Sequence, residues 1–298
     1  MRKIGFIVPI ITVFDENGTI DEAGNQIVIE SLVNAGVDGI AVMGSTGEFF
    51  GLSAAEKKQM IDIASKQING RTRFLVGVGT ADSREAVELI DYAAAHRAEA
   101  SMLIAPAYFP LSDNSILNFY GEVAENTKNS IIIYNFPART GYDISPDTVA
   151  KLAKKYTNIV GIKDSVPDPT HTRKIITAVR AISPDFEIYN GMDDNFIHTV
   201  LSGGNGSIGA LGNVIPEIVS SLSRKVRAGD FEGAQYEQGI IDRMVSLYDI
   251  TTPFVCALKN AVKMRGVNIG IKCVPPFLCP DDKQIKQIEE LMKSVRII

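Results

Sequence analysis

Lys163 closes the apolar run Ile159-Val160-Gly161-Ile162. A lysine at the end of a buried strand is drawn partly out of water, which favours the uncharged amine. Such an amine can attack a ketone and form a Schiff base. The plainer alternative is a stem lying along the strand while the charged head reaches solvent. Tyr134 closes the neighbouring run Ile131-Ile132-Ile133. Its phenol can move protons to and from a carbinolamine oxygen if further hydroxyls relay them. Ser45 and Tyr108 are such hydroxyls, although packing alone also explains either tyrosine taken singly. In Gly44-Ser45-Thr46-Gly47, small residues let backbone N–H groups and Thr46 cradle a carboxylate, or the segment is ordinary turn chemistry. Arg139 can hold a second carboxylate with its two-pronged head, or form a surface ion pair.

These residues sit at the ends of short apolar runs that recur along the chain. The runs predict strands at 5–11, 39–43, 74–78, 100–105, 131–134, 160–163, 186–189 and 206–210. None alternates cleanly, which suits strands buried on both faces of a parallel sheet. Helical periodicity fills 53–68, 82–96, 112–126, 145–156 and 169–182, and Ser53 with Glu56 forms a capping box at the first of these. Strands recurring at roughly 30-residue spacing match the βαβ period. Eight units predict an α/β fold, a (β/α)8 TIM barrel, whose active site lies at the C-terminal ends of the strands. A doubly wound sheet would need a Gly-rich turn after its first strand, where this chain has Thr12-Val13-Phe14-Asp15. After Asn213 the pattern is helical, at 216–228, 230–248, 252–265 and 281–295. The expected organisation is a barrel over 1–226, carrying the active site, and a C-terminal helical extension over 227–298.

Composition narrows the function classes. The chain has 298 residues, 45% hydrophobic and 22% charged, with net charge −5 and no dense Lys/Arg run, so nucleic-acid binding is not expected. No apolar run reaches the roughly 18 residues that span a bilayer. Met1-Arg2-Lys3 and the apolar stretch after it imitate a signal peptide. Pro9 interrupts that stretch, however, and Asp15-Glu16-Asn17-Gly18 follows with no small-residue cleavage site. A first buried strand and a cytoplasmic protein are expected instead. Three cysteines, Cys256, Cys273 and Cys279, suit a reducing compartment. His96, His171 and His198 fall in helical stretches without metal-ligand spacing, so no metal is expected. Gly203-Gly204-Asn205-Gly206 follows no strand and does not read as a phosphate loop.

Gly44-Ser45-Thr46-Gly47-Glu48, Tyr134-Asn135-Phe136-Pro137 and Gly161-Ile162-Lys163, in that order, resemble the dihydrodipicolinate synthase / N-acetylneuraminate lyase family. The likeness runs through Thr252-Pro253-Phe254 and Val274-Pro275-Pro276 and so covers essentially the whole chain. It implies a class I, pyruvate-dependent aldolase or lyase on a TIM barrel, a homotetramer that needs no cofactor beyond a covalent pyruvate imine on Lys163. It further implies that Tyr134 is the proton shuttle, that Ser45 relays protons to it, and that Thr46, with Gly47 beside it, binds the pyruvate carboxylate. By the same likeness Tyr108 crosses a subunit interface to complete the relay, and the carbonyl of Ile208 faces the imine. Ser165 and Gly191, closing strands six and seven, are candidate substrate contacts.

The resemblance divides over the second substrate. Arg139 matches the arginine with which synthases hold aspartate semialdehyde. Ser45-Thr46 is the lyase-type pair, and Gly191-Met192-Asp193-Asp194 resembles the pattern lyases use on sugar hydroxyls. Carboxylates suit polyols because each accepts several O–H bonds. Asp193 and Asp194 can equally be the cap and first-turn acids of the next helix. Taken together the motifs look most like 2-keto-3-deoxygluconate aldolases. The leading expectation is reversible cleavage of a 2-keto-3-deoxy sugar acid, of the 2-keto-3-deoxygluconate or N-acetylneuraminate type, to pyruvate and an aldehyde. The first alternative is a dihydrodipicolinate synthase condensing pyruvate with aspartate semialdehyde. A silent 2-oxo acid sensor is a lesser one, since it would need a broken relay. Residues 52–58 lack the histidines of lysine-regulated synthases and Ala81 stands where those carry an amide, so feedback by lysine is not expected.

Overall fold

The computed structural model describes residues 3–298; Met1 and Arg2, which begin the basic segment weighed above, lie outside the described residues. Eight strands form one closed barrel in sequential order. They are β1 (Gly5–Pro9), β2 (Gly39–Val42), β3 (Arg73–Gly79), β4 (Ala100–Ile104), β5 (Ile131–Asn135), β6 (Ile159–Asp164), β7 (Glu187–Asn190) and β8 (Gly206–Ile208). The helices are α1 (Glu22–Asn34), α2 (Ala54–Ile68), α3 (Ser83–Ala95), α4 (Asp113–Asn126), the short α5 (Pro137–Thr140), α6 (Pro146–Lys155), α7 (Pro169–Arg180), α8 (Phe196–Leu201) and α9 (Pro216–Arg227). Three C-terminal helices follow: α10 (Phe231–Met244), α11 (Val255–Met264) and α12 (Asp282–Ser294). The TIM barrel expected from the strand rhythm is the observed architecture. No helix among the described residues is long and apolar enough to cross a membrane.

The strands form where the apolar runs are. Every residue of β2, β4 and β5 is buried, as parallel strands covered on both faces must be. The first strand ends at Pro9, two residues before the apolar run does. Beyond it the Ile11 N–H donates to Asn213 Oδ1, and the Asn213 amide donates back to the Pro9 carbonyl. Side chains thus replace ladder partners that a proline cannot extend. Local signals start the helices. Ser53 and Asp281 sit in reciprocal capping boxes with Glu56 and Gln284, and proline opens α6, α7 and α9.

The chain divides into two compact units. One comprises Phe74–Ile208 with the described residues of Met1–Gly5; the other comprises Phe6–Arg73 with Gly209–Ile298. The second unit is tied together by an ion pair with no solvent exposure. Lys259 of α11 reaches Glu48 at 2.5 Å and also donates to the Lys272 carbonyl at 2.6 Å. The other Glu48 oxygen accepts the Val274 N–H at 2.8 Å. One carboxylate therefore joins the turn after β2 to a C-terminal helix and to the segment beyond it.

Removing one member of a fully buried pair strands the other charge. Lys259→Met should lower unfolding stability by about 3–5 kcal/mol in chemical denaturation. Lys155→Ala, which breaks an exposed pair with Glu125, should leave stability nearly unchanged. Comparable losses in the two variants would contradict this account of the second unit.

Candidate active site

Successive side chains of a strand point to opposite faces, so the pairing of β5, β6 and β7 sorts their ends into two rows. Tyr134 pairs with Lys163, and Lys163 with Tyr189. One residue on, Asn135 pairs with Asp164, and Asp164 with Asn190. The first row holds the chemistry expected from the sequence. Lys163 Nζ lies 3.3 Å from Tyr134 Oη and 4.3 Å from the centre of that ring. Lys163 is 4% exposed and Tyr134 3%. Among the described residues Lys163 forms no ion pair. The position holds the amine out of water with a phenol in reach.

The second row faces α7. Asp164 is fully buried and accepts hydrogen bonds from Asn135 Nδ2 at 2.9 Å and Thr172 Oγ1 at 2.6 Å. His171 Nδ1 lies 3.0 Å from an Asp164 oxygen, and His171 Nε2 lies 3.0 Å from Asp143 Oδ2. Asn135 also donates to Asp143, and Asn190 donates to Thr172 Oγ1. Burial by itself lowers the basicity of His171. The hydrogen bonds and charges of Asp143 and Asp164 outweigh it and hold the imidazole up at about 10. Sequence spacing does not point to this network: it offers His171 only as a candidate metal ligand, and a seven-residue offset from Asp164 is no recognised motif. The usable signal was a buried acid directly after the lysine, which demands a partner.

A ladder of stacked groups leads from the amine to Arg139. The Tyr134 and Phe136 rings stack at 5.9 Å, and the Arg139 guanidinium lies 5.5 Å from the Phe136 ring centre. Arg139 is exposed and, among the described residues, has no ion-pair partner. It belongs to α5, which ends at Gly141 with a φ of 87° that an L side chain rarely adopts. Ser165 and Gly191 directly follow β6 and β7. The Ser165 N–H donates to the Asn135 carbonyl and the Gly191 N–H to the Asp164 carbonyl, each at 2.8 Å. A Cβ at Gly191 would stand 1.9 Å from Ser165 Oγ, so only glycine fits there. Asp193 and Asp194 open the short turn Asp193–Asn195 that precedes α8. Asp193 is buried and Asp194 is exposed. Ile208 is fully buried at the end of β8.

Tyr108 stands apart. It is 88% exposed, has a φ of 88° and packs edge-on against Phe109. Within the chain it is not brought to Lys163. In the other unit, Ser45–Gly47 forms a single tight turn. Met43 and Glu48, on either side of Gly44–Gly47, both take positive φ, uncommon for residues with a side chain. Thr46 is buried and Ser45 half-buried. The Gly47 carbonyl accepts Thr12 Oγ1 at 2.7 Å.

The raised His171 has a consequence for stability. A histidine whose folded value exceeds its ordinary 6.5 stabilises the fold fully below that pH and loses the contribution as pH rises toward about 10. The gap in Tm between the wild type and His171→Gln should therefore be widest near pH 6 and should close toward pH 10. A gap independent of pH would mean that His171 is not held charged.

Comparison with known proteins agrees with this geometry. Residues 2–295 match the model of the Dihydrodipicolinate synthetase family. Escherichia coli K12 YagE, provisionally named a 2-dehydro-3-deoxy-D-gluconate aldolase, is 33% identical over 98% of this chain and 97% of its own. YjhH of the same strain, provisionally a 2-dehydro-3-deoxy-D-pentonate aldolase, is 32% identical over 100% of this chain and 99% of its own. The 4-hydroxy-tetrahydrodipicolinate synthase of Methanothermobacter thermautotrophicus is 35% identical over 89% and 95%. The crystal structure of YagE in complex with pyruvate superimposes with a TM-score of 0.96 at 32% identity, covering 99% of each chain. A buried lysine paired with a tyrosine across two barrel strands, together with these likenesses over nearly the full length, means that the chain belongs to the dihydrodipicolinate synthetase family and is one of its class I pyruvate-dependent aldolases or lyases.

Proposed function

We propose that the protein reversibly cleaves a 2-keto-3-deoxy sugar acid to pyruvate and an aldehyde through an imine on Lys163. The observation that carries this is the buried Lys163 amine, 3.3 Å from Tyr134 Oη and, among the described residues, without a carboxylate partner. The neutral amine adds to the C2 ketone, and Tyr134 protonates the oxygen that leaves as water. The resulting iminium accepts the electron pair of the C3–C4 bond as the C4 hydroxyl gives its proton to the Tyr134 phenolate and becomes the aldehyde. C3 of the enamine is then protonated, and water releases pyruvate and restores the amine. Condensation runs the same steps backwards.

The remaining roles follow the family resemblance. Thr46 and the Gly44–Gly47 turn take the carboxylate of the keto acid, and Ser45 relays protons to Tyr134. The Ile208 carbonyl faces the imine, and Ser165 and Gly191 contact substrate. Asp193 and Asp194 accept sugar hydroxyls. Tyr108 completes the relay of a neighbouring copy in a homotetramer; its high exposure suits a side chain whose partner lies outside its own chain. The protein is cytoplasmic, and its partners are small molecules.

A second reading, condensation of pyruvate with aspartate semialdehyde, has one observation in its favour. Arg139 is exposed, unpaired among the described residues and stacked on Phe136 toward Tyr134, as a carboxylate clamp would be.

Treatment with pyruvate and borohydride should add the reduced adduct to Lys163 alone, read by peptide mass. Tyr134→Phe should slow turnover by about 100-fold or more. An unmodified Lys163 would refute the imine. With 2-keto-3-deoxygluconate, N-acetylneuraminate and aspartate semialdehyde compared side by side, kcat/KM should be highest for a sugar acid. Turnover confined to aspartate semialdehyde would replace the leading assignment with the second.

A further inference from the structure

The imine chemistry leaves one charge unexplained. Asp164 directly follows the nucleophile on β6, is fully buried, and points to the opposite face of the strand. Its oxygens are met by Asn135, Thr172 and His171. An uncompensated carboxylate one residue from Lys163, with little water between, would favour the ammonium form and weaken the nucleophile. Only one of its three partners can carry a positive charge. That partner, His171, is itself clamped between two acids, with one ring nitrogen 3.0 Å from Asp164 and the other 3.0 Å from Asp143.

We infer that His171, kept as an imidazolium between Asp164 and Asp143, is a positioning residue that cancels the buried Asp164 charge and so leaves Lys163 a neutral nucleophile. The inference rests on the imine assignment above and deepens it. His171 touches neither substrate nor Lys163; it acts through Asp164. The same bridge fixes geometry, because Asn135 donates to both Asp164 and Asp143 across the strand pair that carries Tyr134 and Lys163. Both neutral donors to Asp164 are oriented in turn. Asn135 Oδ1 accepts the Ile144 N–H, and Thr172 Oγ1 accepts from Asn190.

The charged groups around His171 come from several elements. Asp164 lies on β6 and Asp143 on the segment between α5 and α6. On its own helix α7 the charges are Asp168 at the cap, Arg173 and Lys174 within one turn of His171, and Arg180 in the last turn. Lys163 itself faces Tyr134 of β5 and is in register with Tyr189 of β7. Asp193, the other fully buried acid of this unit, is common to all variants compared below and cannot account for a difference between them.

The test reads Lys163 without using pyruvate. The unliganded protein is labelled with acetic anhydride across a range of pH, and acetylation of Lys163 is followed by peptide mass spectrometry. His171→Gln should move the midpoint of labelling up by about one to two pH units, the order expected for a unit charge roughly 6–12 Å away, across the strand, at an effective dielectric constant near 20. The double variant His171→Gln/Asp164→Asn should return it to the wild-type value. An unchanged midpoint in folded His171→Gln protein overturns the inference. Should the variant fail to fold, the wild type alone decides: NMR titration should find the His171 ring still protonated at pH 8, and a ring that titrates near or below 6.5 overturns the inference. Failure of borohydride trapping, by contrast, refutes the imine assignment and leaves these two measurements intact.

Discussion

The site depends on the register between β5 and β6. Tyr134 and Lys163 are partners in that ladder, which is why a phenol and an amine separated by 29 residues in the chain lie 3.3 Å apart. Side chains alternate along a strand, so a slip of one residue would turn Lys163 toward α7 and put the Asp164 carboxylate in its place. Burial protects the register. Every residue of β5 is buried, and β6 is buried apart from Val160. A shifted ladder would have to bury the lysine against a helix.

The two faces of these strand ends do complementary work. On one, an amine is kept out of water beside a phenol. On the other, Asn135, Asp164 and Asn190 are bound to Thr172 and His171 of α7 and to Asp143. A closed set of polar partners makes each member hard to move, because any unpaired buried group is costly. The helix behind the sheet thereby stiffens the segment that must hold the nucleophile still. In the other compact unit, Glu48 and Lys259 fix the turn after β2 by the same means.

Much of this was legible in the sequence. Uninterrupted apolar runs at a steady interval announced eight parallel strands, and the rule that barrel enzymes work at strand ends picked out Lys163 and Tyr134. Partnerships that depend on three-dimensional pairing were not legible. Asp164 was seen as one of several polar residues after a strand, and nothing local says that its side chain turns back to a helix. His171 was set aside because it lacks metal-ligand spacing, although its partners are carboxylates. Glu48 and Lys259 lie too far apart in the chain for pattern to join them. Tyr108 has the right chemistry, but its positive φ and high exposure carry it away from its own Lys163. Asp193 and Asp194 differ in burial because the chain enters a tight turn before α8, a detail that composition does not encode.

The central claim is that Lys163 is a nucleophile toward a 2-oxo acid. The most direct measurement is carbon NMR of the protein mixed with pyruvate labelled at C2. The account predicts that a signal in the imine region appears with the wild type, at a stoichiometry approaching one per chain, and is absent with Lys163→Ala. Ketone and hydrate signals alone, under conditions where the wild type is folded and saturated, would contradict it.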